Sequence, residues 1–281
     1  MAGHLRLVLV GLSGVGKSAA GNTILGREEF PSGISSTSWT TRSEERRGER
    51  YGRLVTVIDT PGLFNTELSE EQLRAELQRA VSLCEPGPHA FLLVLQLGRF
   101  TQQEKRVMET LQELLSKSVD QFTVLLFTHG DRLEDQTIEE FISEDTNLQE
   151  LLRKCGGRYH VFNNKDMRDT QQVWELFNTV HSMAERNQQE YFDLQNEQDR
   201  EKRTLSYLLR LFPSDRFRNL LVNIVAGSAI GAVVGTIIGA IMVAAGEAEG
   251  GAAKVVSITA VIGAAVGAAL GFLVSKKCGV Q

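Results

Sequence analysis

Blocks of apolar residues alternate with amphipathic segments through the first three quarters of the chain. The blocks are short and bounded by glycine, proline or polar residues, which is typical of strands buried in a sheet. They lie at residues 5–10, 54–58, 90–97, 122–127 and 159–162. Helical spacing occupies residues 19–25, 69–83, 101–116 and 170–186, and a charged stretch of helical character continues to about residue 211. Strands that alternate with helices predict an α/β fold, with a mostly parallel, six-stranded sheet between two helical layers.

The pattern changes near residue 219, where charged residues disappear. Residues 219–246 and 255–275 contain none, and their glycines recur at every fourth position, at Gly227, Gly231, Gly235 and Gly239 and again at Gly263, Gly267 and Gly271. This spacing lines small residues along one helix face, which lets helices approach closely in lipid. Each run is long enough to cross a hydrocarbon core of about 30 Å. We therefore expect a C-terminal apolar hairpin of two helices that associates with a membrane.

These patterns divide the chain into four parts: a globular domain over residues 3–205, a helical linker over 206–218, the glycine-zipper hairpin over 219–275 and a basic tail over 276–281. Arginines before the hairpin and lysines after it put both ends on the cytosolic face of an intracellular membrane, by the positive-inside rule. The same runs are also compatible with a buried helical pair in a soluble oligomer, or with insertion into one leaflet only. The net charge of -5 gives no reason to expect a nucleic-acid partner.

The most specific chemical motif follows the first apolar block. Gly11, four intervening residues, Gly16, Lys17 and Ser18 match the P-loop pattern, and they lie between a predicted strand and a predicted helix. Such a loop lets backbone N–H groups converge on a phosphate chain, to which the helix N-terminus adds a partial positive charge. The predicted phosphate-binding residues are Gly11, Leu12, Ser13, Gly14, Val15, Gly16, Lys17, Ser18 and Ala19. Lys17 also serves in catalysis by reaching the β- and γ-phosphates, and the Ser18 hydroxyl is a ligand for Mg²⁺.

Two more strand ends carry residues of the same predicted site. Asp59 ends the second apolar block and is predicted to hold Mg²⁺, and the N–H of Gly62 is predicted to meet a γ-phosphate. After the fourth block come Thr128, His129, Gly130 and Asp131. A carboxylate at Asp131 accepts hydrogen bonds from guanine N1 and N2, which adenine cannot provide, and therefore favours GTP.

The rest of the base pocket is less strongly specified by the sequence. The ring of His129 is predicted to lie against the purine, and Asn163 or Asn164, at the next strand end, to complete the pocket. Either asparagine is equally compatible with a simple turn. The string from Thr128 to Asp131 is likewise compatible with a polar turn.

With these motifs in order, the chain resembles the immunity-associated GTPases, which share the AIG-type G domain, over roughly residues 3–205. The resemblance is carried by the strings at residues 9–22, 59–64, 86–101, 127–133 and 162–165. It implies that Thr40 is the switch I threonine that closes over Mg²⁺, with Thr37 and Thr41 as neighbouring alternatives. It also implies that Ser32 contacts the nucleotide. A polar surface loop is the alternative interpretation of this segment.

Intrinsic GTP hydrolysis is expected to be slow, because Leu63 stands where Ras-like GTPases place a water-orienting glutamine. The resemblance implies that two G domains pair across the nucleotide, so that Arg99 reaches the phosphates of the partner copy. The alternative is that Arg99 is a surface residue that caps the next helix. The sequence thus predicts a membrane-associated GTP switch that binds Mg²⁺ with GTP or GDP, dimerises through its G domain and hydrolyses GTP slowly or in trans. A GTP-bound scaffold without turnover, and a membrane-perturbing protein controlled by its G domain, are the other hypotheses.

Overall fold

A computed structural model describes residues 3–33, 40–64 and 68–200, together with residue 203. Its strands are β1 (Leu5–Val10), β2 (Glu44–Arg50), β3 (Arg53–Asp59), β4 (Ala90–Gln96), β5 (Thr123–Thr128) and β6 (Tyr159–Val161). Its α-helices are α1 (Lys17–Leu25), α2 (Glu70–Leu83), α3 (Gln102–Leu114), α4 (Ile138–Ser143), α5 (Thr146–Lys154) and α6 (Gln171–Asn187). Short 3₁₀ helices occupy Lys117–Phe122 and Gly130–Arg132.

The strands form one sheet in the order β2-β3-β1-β4-β5-β6. Strand β2 runs antiparallel to β3, and every other neighbouring pair is parallel. The central strand β1 is buried along its whole length, so it tolerates only apolar side chains or a well-bonded polar one. Because the parallel strands all end at the same edge, the loops that follow them meet there.

Helices cover both faces of the sheet, as the alternation along β1 requires. Leu7 and Leu9 belong to an apolar cluster with α1 and α6, whereas Val8 and Val10 belong to a second cluster with α2, α3, α4 and α5. The predicted α/β/α fold with a mostly parallel, six-stranded sheet is therefore confirmed.

The hydrophobic pattern did not predict β2, α4 or α5, which are rich in charged residues. Strand β2 has the sequence Glu-Glu-Arg-Arg-Gly-Glu-Arg and lies at the edge of the sheet, where charged side chains discourage pairing with other chains. Helices α4 and α5 are short, with their apolar residues confined to one side. Helix α1 begins at Lys17, two residues earlier than predicted, because the P-loop runs directly into its first turn.

Helix α2 begins with a capping box formed by Ser69 and Gln72. The Ser69 hydroxyl accepts from the Gln72 N–H at 3.2 Å, and the Gln72 side chain accepts from the Ser69 N–H at 2.8 Å. The same arrangement starts α3 at Thr101 with Glu104. Both caps satisfy N–H groups that the first helical turn leaves without partners.

The amino-terminal edge of the parallel strands is closed by the segment that follows α6. Phe192 is fully buried and packs edge-on against Phe91 and Phe122, with ring centroids 5.3 and 5.7 Å apart. Its N–H donates to the Pro88 carbonyl at 2.8 Å. A side chain at Gly87 would collide with this segment, because a Cβ there would lie 2.1 Å from the Phe192 carbonyl oxygen.

Arg6 and His89 are buried at the same amino-terminal edge. The Arg6 Nε donates to the Gly87 carbonyl at 2.7 Å, and the Arg6 N–H donates to His89 Nδ1 at 3.1 Å. Burial, together with the charge of Arg6, lowers the pKa of His89 to about 3. His89 therefore remains neutral, serves in packing, and lies at the opposite edge from the P-loop.

No helix within the described residues has both the length and the apolar character of a membrane span. The predicted linker (206–218), hairpin (219–275) and tail (276–281) lie outside the described residues. The hairpin therefore stays a prediction from the sequence.

Candidate nucleotide-binding site

The P-loop forms an anion-binding cradle between β1 and α1. Gly11 must be glycine, because a Cβ there would lie 2.6 Å from the Val94 carbonyl oxygen. Gly16 is the N-cap of α1, with a left-handed φ of 94°, and no side chain caps the helix. The first turn of α1 also contains no acidic residue. Its N–H groups and the positive end of its dipole therefore remain available to a bound phosphate.

Lys17 points back into this cradle. Its side chain is almost fully buried, and its ammonium donates to the Leu12 carbonyl at 2.7 Å and to the Gly11 carbonyl at 3.4 Å. Burial lowers the pKa of Lys17 to about 8, and the nearby charge of Asp59 opposes the shift. The negative charge of a bound phosphate chain would pair with this ammonium and favour its protonated form.

Ser18, Thr40 and Asp59 meet beside the cradle. The Ser18 and Thr40 hydroxyls both donate to Asp59 Oδ2, at 2.6 and 3.0 Å. Asp59 is 1% exposed, and its Oδ1 is buried without a hydrogen-bond partner. Burial raises the pKa of Asp59, while Lys17 and the two hydroxyls oppose that rise.

This group of oxygens fits a magnesium ion. Two hydroxyls and a carboxylate with a free buried oxygen are hard donors of the kind that Mg²⁺ prefers. No group of three or more His, Cys, Asp or Glu side chains that could hold a metal ion occurs among the described residues.

Gly62 and Leu63 pack directly against the P-loop. A Cβ at Gly62 would lie 2.0 Å from Ser13 Oγ, so only glycine allows this approach. The Leu63 N–H donates to the Gly11 carbonyl at 3.0 Å, and Leu12 and Leu63 form a parallel β-bridge. Leu63 is 1% exposed and belongs to the apolar cluster under α2 and α3. A leucine side chain has no group that can orient water, and this one is also packed into the core.

The loop after β5 is joined to the P-loop by Thr128. The Thr128 hydroxyl donates to the Val15 carbonyl at 2.7 Å. His129 adopts a left-handed conformation with φ 62°, and Gly130 and Asp131 follow in a 3₁₀ turn. Asp131 lies at the surface beside Lys165, whose ammonium donates to Asp131 Oδ2 at 2.5 Å. This ion pair lowers the pKa of Asp131.

The two candidate asparagines have different surroundings. Asn164 Oδ1 accepts from the Thr23 hydroxyl of α1 at 2.9 Å, and its Nδ2 lies 3.5 Å from where a Cβ of Gly16 would be. Asn163 instead accepts from the Lys165 N–H at 3.1 Å and so stabilises its own turn. Asn164 is thus next to the P-loop, and Asn163 is engaged in local structure.

Similarity to known proteins identifies the family of this chain. A profile of the AIG1 family matches residues 5–209, which is most of the chain. The chain belongs to the AIG1 family. It is 37% identical over 189 residues to immune-associated nucleotide-binding protein 9 of Arabidopsis thaliana, and 37% identical over 174 residues to GTPase IMAP family member 8 of Mus musculus.

These relatives are longer than the matched region. The first match covers 64% of this chain and 55% of the relative, and the second covers 60% of this chain and 25% of the relative. Among solved structures, the chloroplast protein Toc33 of Arabidopsis thaliana, as a dimerisation-deficient mutant, has a TM-score of 0.52 at 18% identity. That match covers 64% of this chain and 84% of Toc33 and supports the shared fold.

The segment predicted to be switch I is described only in part. Thr37 lies outside the described residues, and Thr41 is exposed. Ser32 is exposed and its Oγ accepts from Asn22 Nδ2 at 3.2 Å. Asn22 is buried in α1 and also accepts from the Glu29 and Phe30 N–H groups. Asn22 thus fixes residues 29–32, which precede this segment, and the predicted contact of Ser32 with the nucleotide stays a prediction.

Arg99 lies on the surface in the loop after β4. It is exposed and forms no hydrogen bond or ion pair with another described residue. The alternative role considered from the sequence, capping of the next helix, is taken by Thr101.

Three contacts in and around the site were not predicted from the sequence. They are the ion pair of Lys165 with Asp131, the bonds that Asn22 makes to residues 29–32, and a double contact between Ser43 and Glu76. Asn22 and Lys165 each stand inside a string that carries the family resemblance, so their position in those strings was the available signal. Glu76 had no such signal, because it is one acid among several on an amphipathic helix.

Proposed function

We propose that the chain is a GTP-binding switch protein that binds Mg²⁺ together with the nucleotide. The main supporting observation is one edge of the sheet that holds a phosphate cradle, a buried hydroxyl–carboxylate group and a base-recognising carboxylate. Family membership supports the same conclusion, since relatives are described as GTPases and nucleotide-binding proteins.

Each residue has a defined task in this proposal. The N–H groups of the P-loop and the Lys17 ammonium bind the phosphates, while Ser18, Thr40 and Asp59 would hold Mg²⁺, which neutralises phosphate charge. Asp131 accepts from the two guanine donors, and Asn164 lies beside the pocket. Guanine must displace Lys165 from Asp131, which costs little because an ion pair at the surface is screened by solvent.

We propose that hydrolysis is slow in the isolated domain and is completed in a dimer by Arg99. Leu63 is buried, so its own side chain cannot take the place of a water-orienting glutamine. Arg99 is exposed, as a residue that stabilises transition-state charge in a second copy must be. One Toc33 structure, with a TM-score of 0.50, is described as evidence that dimerisation is important for the GTPase activity of Toc33. The buried Leu63 alone favours a second candidate, a GTP-bound scaffold with negligible turnover.

We further propose that residues 219–275 attach the protein to the cytosolic face of an intracellular membrane. The support is the two long uncharged runs and their fourfold glycine spacing. Residues 3–205 would act as the G domain and residues 206–218 as the helical linker to the anchor. A membrane-perturbing role for the hairpin is a further alternative, which dye release from liposomes would detect.

The nucleotide proposal is tested by identifying what the protein retains. Mild purification followed by mass spectrometry of the released ligand should yield GDP or GTP, and titration should show preference for guanosine over adenosine nucleotides. Asp131→Asn should lower GTP affinity about a hundredfold and raise affinity for xanthosine triphosphate, because the amide donates where the carboxylate accepted. Unchanged GTP affinity in this variant would contradict the assignment of the base site.

A further inference from the structure

The segment that carries Thr40 is held at its far end by a buried contact with α2. Ser43 is 2% exposed, and its N–H donates to Glu76 Oε2 at 2.6 Å. Its hydroxyl donates to the backbone carbonyl of Glu76 at 3.0 Å. Two hydrogen bonds to one residue, one of them to a charged acceptor, fix both the position and the orientation of the Ser43 backbone.

The position of Glu76 is itself fixed by the packing of α2. Leu73 and Leu77, on either side of it, are buried in the apolar cluster beneath α2, and the capping box at Ser69 fixes the start of the helix. The Glu76 side chain is 17% exposed, and its Oε2 also lies 3.9 Å from the Arg79 guanidinium. The carboxylate is therefore directed at Ser43 by a helix that cannot easily shift.

The other end of this short segment contacts the predicted metal position. Glu44, which follows Ser43, is paired with Asp59 in the register of β2 and β3. Three residues before Ser43, the Thr40 hydroxyl donates to Asp59 Oδ2 at 3.0 Å. Residues 40–43 thus span two anchors, Asp59 at the phosphate site and Glu76 on α2.

We propose that Glu76 is a positioning residue for the triphosphate state: by holding Ser43, it keeps the Thr40 hydroxyl at the Asp59 carboxylate. This inference rests on the proposed GTP-binding function. Ser18 and Asp59 are available to the metal with either nucleotide, whereas switch I is ordered only when the γ-phosphate and Mg²⁺ are both present. Loss of Glu76 should therefore weaken binding of a triphosphate and leave binding of a diphosphate nearly unchanged.

The test is a comparison of affinities for mant-GDP and mant-GMPPNP in the presence of magnesium, made on the full chain. Glu76→Ala should lower the affinity for mant-GMPPNP about tenfold relative to mant-GDP, since a bond to a charged acceptor is lost. Glu76→Gln retains an oxygen that accepts from the Ser43 N–H and should restore most of the difference. Glu71→Ala is the matched control, because it makes the same change at an exposed position of the same helix, and it should leave the ratio at its wild-type value.

Ser43→Ala provides a second variant if Glu76→Ala unfolds the protein. It removes only the hydroxyl bond and should lower the mant-GMPPNP to mant-GDP affinity ratio about threefold to fivefold. A proportional loss of both affinities in Glu76→Ala, or a wild-type ratio in Glu76→Ala and Ser43→Ala, would overturn the role of Glu76 while leaving nucleotide binding intact. If the wild-type chain bound neither probe, the proposed function itself would fail, and this inference with it.

Discussion

Replacing Leu63 with glutamine would give this G domain the side chain that orients water in Ras-like GTPases. In this protein we expect the change to destabilise the fold without accelerating hydrolysis. Leu63 is 1% exposed, its N–H is bonded to the Gly11 carbonyl, and it forms a β-bridge with Leu12. A glutamine there would have to place its amide in the apolar cluster or break the packing between P-loop and Gly62.

The size of the effect follows from burial. Removing a fully buried leucine costs about 1.5–3 kcal/mol in transfer free energy. Burying an amide without a partner costs about 1–3 kcal/mol more. The free energy of unfolding should therefore fall by roughly 2.5–6 kcal/mol, which corresponds to a Tm lower by on the order of 10 °C for a domain of this size.

Thermal and urea unfolding would measure the stability, and single-turnover GTP hydrolysis at low protein concentration would measure the chemistry. Leu63→Met is the matched control, because it preserves volume and apolar character and should cost less than about 1.5 kcal/mol. A Leu63→Gln protein with wild-type stability and faster hydrolysis would refute the reasoning, since it would mean that this side chain can reach the nucleotide.

Three other predictions concern hydrolysis in a dimer, the charge of Lys17 and attachment to a membrane. Arg99→Ala should abolish the dependence of the hydrolysis rate on protein concentration, with Tm and GDP affinity unchanged because the Arg99 side chain is exposed. An unaltered concentration dependence would exclude Arg99 as the residue that acts on the partner copy. Because burial holds the pKa of Lys17 at about 8, and bound phosphate would raise that pKa, GTP binding takes up a proton above this pH. Affinity should then fall as the pH rises from about 7 to about 9, whereas Lys17→Arg should show a flat profile, since arginine stays charged. Deletion of residues 219–281 should move the protein from the floating liposome fraction to the bottom of the gradient in flotation assays, and persistent flotation would reject the anchor.

Much of the fold was predictable because its signals are local. The apolar block at residues 5–10 coincides with β1, and the capping box at Ser69 marks the start of α2. Strand β2 was not located because an edge strand of glutamates and arginines lacks the apolar run by which buried strands are recognised. Its pairing with β3 becomes apparent only from the register of the sheet.

The site was predictable where a motif specifies chemistry by spacing, as at Lys17, Ser18 and Asp59. The site was less predictable where the role of a residue depends on contacts with distant parts of the chain. The sequence left Asn163 and Asn164 equivalent, and the hydroxyl of Thr23 distinguishes them across 141 positions. Glu76 and Ser43 are 33 positions apart, and nothing in their local sequence signals that they meet.

The packing of Phe192 separates two demands on the same sheet. This ring closes the edge of the sheet opposite the P-loop, where its N–H is bonded to the Pro88 carbonyl and the Arg6 guanidinium lies over the Tyr191 ring. Nucleotide exchange at the proposed site would therefore not require the contacts of residues 191 and 192 to break.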